Sequence, residues 1–199
     1  MPRVTTVNSD HDYKHPALHP KNRRETPQEL FEAINEVWPC TLDICAEEHN
    51  AKVESYIDFE LNGLDLKWRP EPDTFIWCNP PYSGGLLDAW IHRAMLAAER
   101  KIGTVLLVPA RTGAEWFRDL LIGPARMPLE FIFVRGRVQF VPSPDQVEED
   151  KSTNFENSLI VITYPFGSRN QAVSIGSVTT SKADGVPFYT FYRHLRGEL

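Results

Sequence analysis

The residues best suited to chemistry lie near the middle of the chain, where a short apolar run ends in two prolines. The run Phe75–Cys78 has the pattern of a buried strand and leads directly into the turn Asn79–Ser83, of sequence NPPYS. Because each proline fixes φ and lacks an N–H, this turn cannot continue as a helix or a strand ladder. The Asn79 side chain and the Pro80 carbonyl can then converge as two acceptors, with the Tyr82 ring beside them. This arrangement favours a planar group that carries an NH2, such as the amine of adenine.

Pro80-Pro81 followed by tyrosine is also common in exposed turns and in polyproline recognition segments. Those settings have polar flanks, whereas the segment before this turn is apolar and contains Trp77. The context therefore favours a binding turn over a simple connection. For Tyr82 itself, packing of the turn stays open as an alternative to stacking on a base.

The apolar periodicity around this turn predicts an α/β protein whose sheet is mainly parallel, with an antiparallel end. Helices are expected from Thr26-Pro27 to about Pro39, over 86–100 and over 115–122, with one helical turn at 47–52. Strands are expected at 41–45, 55–59, 75–78, 104–108, 129–134, 138–141 and 158–163, and the tail 173–199 can add a strand pair.

Length and composition limit the domain count and the class of protein. The chain has 199 residues, 42% of them hydrophobic, which suits one globular domain. Residues 1–25 have no apolar periodicity and are expected to form a flexible arm, followed by one domain over 26–199. The longest apolar run, 104–110, has the length of a strand, and the N-terminus lacks the apolar core of a signal peptide.

The cysteines and histidines have no metal-ligand spacing. Cys40, Cys45 and Cys78 are three in number and irregularly spaced, so we expect reduced thiols in a cytosolic protein. No metal site is expected.

The net charge of −6 is distributed unevenly along the chain. Residues 27–92 hold 3 Lys or Arg against 13 Asp or Glu, whereas residues 93–137 hold 8 against 4. Such a division permits a local basic surface that faces phosphates, although a solvated surface of mixed sign is the alternative.

Polar residues follow three of the predicted strands at their carboxyl ends. Asp43 closes the first strand, Asp58 lies near the end of the second, and Asn79 follows the third. Because the carboxyl ends of parallel strands meet at one edge, we expect these side chains to share a crevice. Asp43 can orient a ligand-binding loop or contact an ammonium group there, and Asp58 can accept hydrogen bonds from ribose hydroxyls. Each acid alone is more often a solvated carboxylate or a cap.

The sequence lacks both G-x-G-x-x-G after the first strand and a P-loop. Phosphate-bearing cofactors are therefore disfavoured, whereas a nucleoside cofactor without phosphates remains possible. S-adenosylmethionine fits that description.

These features together give the chain a resemblance to the phage-type DNA N6-adenine methyltransferases, a Dam-like group of amino-methyltransferases. The NPPY turn is the most specific element, and the likeness extends over roughly residues 26–163. The matching segments are Thr26-Pro27, Leu42–Ala46 with Asn50-Ala51, Gly63-Leu64 before Trp68, Asn79–Ser83, Val108–Arg111, and Gly136–Val138 with Phe140.

The resemblance implies a Rossmann-like class I methyltransferase fold, S-adenosylmethionine as the methyl donor and adenine in double-stranded DNA as the acceptor. It implies catalytic roles for Asn79, Pro80, Pro81 and Tyr82. It places Thr26, Pro27 and Asp43 at the methionine end of the cofactor, and Asp58, Asn62 and Leu64 near its ribose and adenine. Cys45 and Ala46 are expected to bind the cofactor as well. Asn62 departs from the acidic residue that related enzymes often have there, which puts that contact in doubt.

Arg111, Arg135 and Arg137 are the candidates for DNA contact, by guanine reading or by phosphate pairing. A structural ion pair is an equal alternative for each of them. The expected setting is the cytosol of a bacterial host cell, with a phage or prophage as a possible source.

Three other functions stay open at this level. Methylation of a glutamine amide in a protein, or of adenine in RNA, would use the same pair of acceptors. A non-catalytic cofactor-binding or DNA-binding module is the third.

Overall fold

The computed structural model describes residues 24–58, 60–82, 86–122, 128–142, 157–164, 173–183 and 186–194. Within them the chain forms three helices and nine strands. The helices are α1 (Gln28–Val37), α2 (Leu86–Glu99) and α3 (Glu115–Ile122). The strands are β1 (Arg24–Glu25), β2 (Cys40–Asp43), β3 (Phe75–Cys78), β4 (Gly103–Pro109), β5 (Leu129–Arg135), β6 (Val141–Pro142), β7 (Ser158–Thr163), β8 (Val173–Ala183) and β9 (Val186–His194).

Seven of these strands form one mixed sheet in the order β2-β3-β4-β7-β5-β8-β9. The β2–β3, β3–β4 and β5–β8 pairings are parallel, and β7 runs antiparallel to both β4 and β5. β9 is antiparallel to β8 at the edge. Five of the seven strands therefore run in the same direction, which confirms the predicted α/β fold with its mainly parallel sheet. The antiparallel strands lie both inside the sheet and at its edge.

The helices cover the two faces of this sheet. On one face, α1 buries Leu30, Phe31 and Ile34 at helical spacing against Trp77 and the apolar side chains of the central strands. Val37, the last residue of α1, is 41% exposed. Each side chain of β4 is buried, as expected for a strand covered on both faces.

The opposite face of the sheet is covered by α2 and α3. Trp90 and Ile91 of α2 and Trp116 of α3 belong to the cluster that covers this face, and Phe117 packs against it. None of the described helices is both long enough and apolar enough to cross a bilayer.

β1 and β6 form a second, two-stranded sheet. β1 pairs antiparallel with β6, with Arg24 opposite Pro142 and Glu25 opposite Val141. The sequence placed Arg24 and Glu25 in the flexible arm, but here they pair with β6. A strand of two residues is too short to show an apolar periodicity. Its pairing with residues more than a hundred positions away therefore could not be predicted from the neighbouring sequence. Residues 1–23 of the predicted arm lie outside the described part of the chain.

Three other boundaries differ from the sequence prediction. Pro27, at φ −53° and ψ 137°, is the cap residue itself, so α1 begins at Gln28 and no side chain caps its first turn. The expected strand 138–141 is reduced to β6, while Val138 and Phe140 are buried without strand pairing. The strand expected at 55–59 is a single parallel bridge between Tyr56 and Asp43, and Phe59 lies outside the described residues.

Candidate active site

The carboxyl ends of the parallel strands meet along one edge of the sheet, hereafter the rim. Across the rim, the sheet order places the end of β2 at Asp43 beside Asn79, which follows β3. The end of β4 and Arg111 come next, and the turn after β5 lies beyond the start of β7. A hydrogen bond from the Ala110 amide to the Asn157 carbonyl, at 2.7 Å, joins the β4 and β7 sides of this edge. The topology thus brings the predicted acidic, catalytic and basic residues to one edge.

Asn79 is held at both ends of its carboxamide. Nδ2 donates to the main-chain carbonyl of Arg24 at 3.0 Å, and Oδ1 accepts from the Tyr82 hydroxyl at 2.7 Å. The two prolines that follow Asn79 are both buried, which fixes the turn against the protein. Asn79 is therefore a half-buried, neutral amide in a defined orientation at the centre of the rim.

Tyr82 lies folded back on the turn. Its hydroxyl shares one proton between Asn79 Oδ1 and the Leu107 carbonyl of β4, 2.9 Å away. Its ring packs against the apolar cluster beneath α2 and is partly exposed. The packing role that the sequence left open is present here, and stacking on a base stays a prediction.

Asp43 organises the loop after β2. It is 2% exposed, and its two carboxylate oxygens accept the main-chain N–H groups of Cys45 and Lys52, each at 3.1 Å. These bonds close the segment 44–52 into a compact loop, and orienting a loop is one of the two roles that the sequence left open for Asp43. Burial raises the pKa of Asp43 to about 6, although the two N–H donors act to lower it.

Two thiols lie side by side at the junction of β2 and β3. Cys45 Sγ is 3.7 Å from Cys78 Sγ, and the Ile44 amide bonds to the Trp77 carbonyl at 3.1 Å. Both cysteines are free, and burial raises the pKa of Cys45 well above its ordinary value. Ala46 is buried beside them and donates its N–H to the Ile57 carbonyl at 3.3 Å. Cys45 is therefore a protonated, apolar wall element rather than a nucleophile.

The N-terminal segment crosses from Asn79 to the loop after β2. Glu25 Oε1 lies 3.3 Å from His49 Nε2, and Lys52 Nζ donates to Gln28 Oε1 at 3.3 Å. Burial is the main cause of the raised pKa of Glu25 and of the lowered pKa of Lys52. Sequence reasoning missed Glu25, His49 and Lys52, because residues 24 or more positions apart in a loop and an irregular arm have no common spacing.

Thr26 and Pro27 are both buried between β1 and α1. The Thr26 hydroxyl has no hydrogen-bond partner among the described residues. A buried hydroxyl of this kind needs a partner, since an unmade bond costs about 1–3 kcal/mol. The Thr26 hydroxyl is thus available to a polar ligand beside the loop after β2.

Residue 58 and residues 60–64 lie beside the loop after β2. Asp58 accepts the Leu61 amide at 3.0 Å, and Asn62, at φ 48°, accepts the Leu64 amide at 3.3 Å. Asn62 also donates to Asp65 Oδ2 at 2.6 Å. Leu64 packs against the apolar cluster beneath α2. The predicted cofactor residues here shape their own loop by local side-chain bonds.

Gly63 fixes how closely this loop approaches β2. A Cβ at Gly63 would lie 2.6 Å from the Ile44 carbonyl oxygen and 2.7 Å from the Trp90 ring. The Trp68 indole donates to the Gly63 carbonyl at 2.7 Å, and its ring stacks on Trp90 with centroids 6.3 Å apart. Only glycine therefore permits this close contact of the loop with β2.

The three arginines that the sequence predicted to contact DNA are all exposed, and they lie at the rim after β4 and β5. Arg111 follows β4, while Arg135 and Arg137 flank Gly136, whose φ of +90° makes a sharp turn after β5. The acidic residues and the arginines consequently lie on opposite sides of Asn79 in the order of the strands.

Comparison with known proteins gives consistent results. The family model described as DNA N-6-adenine-methyltransferase (Dam) matches residues 17–187. A protein of Haemophilus phage HP1 (strain HP1c1), a DNA N-6-adenine-methyltransferase, is 30% identical over 126 residues, or 62% of this chain. The match covers 66% of that relative, slightly under two thirds of its length.

Among solved structures, the methyltransferase subunit of a type I restriction-modification system from Streptococcus thermophilus is similar with a TM-score of 0.42 and 12% identity. That similarity covers 84% of this chain and 50% of the subunit.

The contact at Gly63 leads to a stability prediction. Gly63→Ala should lower the free energy of unfolding by about 1–3 kcal/mol, because the added methyl group overlaps main chain and a packed ring. Gly113→Ala is the matched control, since a Cβ there meets nothing within 4 Å. Urea unfolding of the two variants measures the difference. Equal stabilities would contradict the close approach.

The burial of Asp43 leads to a pH prediction. Its folded pKa of about 6 lies above the ordinary 3.8, so between these values the folded state binds more protons than the unfolded state. The Asp43 contribution to the unfolding free energy therefore falls as pH rises from about 4 to about 6, by roughly 3 kcal/mol, and is constant above.

Asp43→Asn tests that contribution, because the amide cannot ionise. The variant loses one acceptor at every pH, but its unfolding free energy relative to wild type should rise between about pH 4 and pH 6. Urea unfolding across this range supplies the two curves. Parallel curves would show that Asp43 titrates normally.

Proposed function

The chain belongs to the DNA N-6-adenine-methyltransferase (Dam) family, and from that premise we propose that it methylates the N6 amine of adenine in double-stranded DNA, with S-adenosylmethionine as the methyl donor. The observation that carries the proposal is the oriented Asn79 carboxamide. It lies between the loop that Asp43 closes and the arginine-bearing turns. An acceptor for the reacting amine is required at the point where donor and DNA meet.

Asn79 and Pro80 act on the adenine amine by hydrogen bonding. The N6 lone pair is delocalised into the ring, so this nitrogen is a poor nucleophile. Bonds from its two N–H groups to Asn79 Oδ1 and the Pro80 carbonyl favour a pyramidal nitrogen, whose lone pair is then available. Neither group is a strong base, and none is needed, since the proton leaves after transfer. Orientation and fixed dipoles therefore supply most of the acceleration.

The residues on the acidic side of the rim fit a nucleoside cofactor without phosphates. Glu25 supplies a carboxylate for an ammonium group, and the Thr26 hydroxyl supplies an unused polar atom. Asp43 holds the loop containing Cys45 and Ala46 in shape. Asp58 and the 62–64 segment would hold the ribose and adenine. S-adenosylmethionine, when bound, supplies an electrophilic methyl group.

The exposed arginines support a nucleic acid as substrate rather than a glutamine amide in a protein. Arg111, Arg135 and Arg137 place positive charge on one side of Asn79, where a phosphate backbone can be paired. A base inside a duplex cannot reach Asn79, so the target adenine must be flipped out. The partly exposed Tyr82 ring would then stack on the extruded base.

The setting proposed is the cytosol of a bacterial host cell. The three free cysteines suit a reducing compartment, and the relative from Haemophilus phage HP1 suits a phage or prophage source.

Loss of the Asn79 amide should abolish most activity. With labelled S-adenosylmethionine and unmethylated DNA, Asn79→Ala is expected to lower the yield of N6-methyladenine by about a hundred-fold or more, while cofactor affinity is retained. Nucleoside analysis measures the product, and calorimetry measures cofactor binding.

Asn35→Ala is the matched control for this experiment. Asn35 also makes a main-chain hydrogen bond, to the Cys40 amide at 2.7 Å, but at the opposite end of β2. The Asn35→Ala variant should be less stable than the wild type but have the same activity per folded molecule. Label found only on protein or RNA would overturn the assignment of DNA as substrate.

The salt dependence of DNA affinity tests whether the arginines contact DNA. Arg135→Ala and Arg137→Ala should each weaken DNA binding and reduce the slope of log affinity against log salt by roughly 1 per lost phosphate contact. Arg100→Ala is the control, because Arg100 is exposed at the opposite edge of the sheet, just before β4. Fluorescence anisotropy of a DNA duplex measures the slopes. Identical slopes for all three variants would place DNA elsewhere.

A further inference from the structure

We propose that the Asn79 carboxamide is a pre-oriented acceptor, set by two positioning groups: the main-chain carbonyl of Arg24 and the hydroxyl of Tyr82. The inference rests on the proposed function, because it concerns the step in which Asn79 receives the adenine amine. It adds that the N-terminal strand β1 is part of the catalytic site, and that the hydroxyl of Tyr82 has a role distinct from that of its ring.

The Arg24 carbonyl determines which of the two orientations the Asn79 carboxamide adopts. A main-chain carbonyl can only accept, so it accepts the 3.0 Å hydrogen bond from Asn79 Nδ2 and repels Oδ1. Rotation of the carboxamide by half a turn would set two acceptor oxygens against each other. Oδ1 is thereby kept on the Tyr82 side of the turn.

The residue opposite Arg24 in the β1–β6 pair does not compete with Asn79 for this carbonyl. Arg24 lies opposite Pro142, and proline has no N–H with which to bond it. β1 is also held from the other side, since Glu25 lies 3.3 Å from His49. The carbonyl of Arg24 is therefore fixed in place by the β1–β6 pair and is directed to Asn79 instead.

The Tyr82 hydroxyl holds Asn79 Oδ1 in place but leaves this oxygen able to accept a second hydrogen bond. Its hydroxyl lies 2.7 Å from Asn79 Oδ1 and 2.9 Å from the Leu107 carbonyl, which ties the amide to β4. An amide oxygen has two lone pairs, so Oδ1 keeps one for an incoming N–H. By itself the hydroxyl would also tolerate the rotated amide, because it can accept from Nδ2 while it donates to Leu107. Arg24 thus sets the direction of the carboxamide, and Tyr82 sets its plane.

This arrangement requires that residue 79 donate on one side and accept on the other. A carboxylate is the stronger acceptor, so Asn79→Asp should work well if acceptor strength were all that mattered. With the Arg24 carbonyl in place, one carboxylate oxygen would face another acceptor. Protonation of the introduced carboxyl removes that conflict, because its O–H then donates to Arg24.

The experiment is therefore the pH dependence of Asn79→Asp in the full chain. At about pH 8 its rate of adenine methylation should be at least a hundred-fold below wild type. The ratio of variant to wild-type rates should rise as pH falls toward the pKa of the new carboxyl, which the Arg24 carbonyl raises above its ordinary value of about 3.9. A ratio that is near one, or that is low and independent of pH, would overturn the proposal.

The stability of the Asn79→Asp variant provides a second test, which needs no substrate. Because the folded pKa of the introduced carboxyl is raised, the stability of Asn79→Asp relative to wild type should fall as pH increases from about 4 to 8, as followed by urea unfolding. Neighbouring ionisable groups are common to both proteins, so the difference isolates position 79. Those groups are Arg24 and Glu25 of β1, Asp43 and Cys45 at the end of β2, Tyr82 of the turn and Arg111 after β4.

Tyr82→Phe separates the hydroxyl from the ring. It should lower kcat about ten-fold, the value of one lost hydrogen bond, while KM for DNA and the Kd for S-adenosylmethionine stay within about two-fold. An unchanged kcat would overturn the role of the hydroxyl.

Tyr164→Phe is the matched control. It removes a hydroxyl that donates to Glu130 Oε2 at 2.7 Å and accepts from the Trp38 indole at 2.8 Å, at the opposite edge of the sheet. It should cost stability but leave kcat unchanged.

Failure of the proposed function is distinguishable from failure of this inference. A wild-type chain that methylates no DNA adenine would sink the former, whereas the pH dependence of the stability of Asn79→Asp would still decide whether Arg24 orients residue 79.

Discussion

The site depends on the abrupt end of β3. Two prolines stop the strand immediately after Asn79, and both are buried, so the turn can neither extend the sheet nor move away from it. β3 has a parallel neighbour on each side, and this leaves Asn79 in the middle of the rim rather than at a margin. One local constraint thus places a neutral amide where the ends of three strands converge. The loop after β2, the arginine-bearing turns and β1 are all arranged around that point.

The charged residues of the rim differ in sign on the two sides of Asn79. On the β2 side, the buried Asp43 closes the segment 44–52, and the half-buried Glu25 contacts His49. On the β5 side, the exposed arginines present positive charge to solvent. A cationic methyl donor suits the first side and an anionic DNA backbone the second, with Asn79 between them. An overall charge of −6 is therefore compatible with a nucleic-acid substrate.

Local patterns were sufficient to predict most of the fold. The central strands, all three helices and the carboxyl-edge position of Asp43 and Asn79 follow from apolar runs and proline punctuation, which depend on neighbours a few residues away. The role of β1 did not follow, because Arg24 meets Asn79 only through folding. Gly63 was noted as part of a motif, but its close contact with Ile44 and Trp90 became visible only in three dimensions.

Asn79 Oδ1 and the Pro80 carbonyl are proposed to receive the amine of a flipped adenine. A crystal structure of the chain with a DNA duplex containing its target adenine, and with a cofactor analogue that cannot donate a methyl group, tests this proposal. We expect an extruded adenine whose N6 lies about 2.7–3.2 Å from both oxygens, with β1 still bonded to Asn79. A target base that remains in the duplex, or that is bound away from the end of β3, would contradict it.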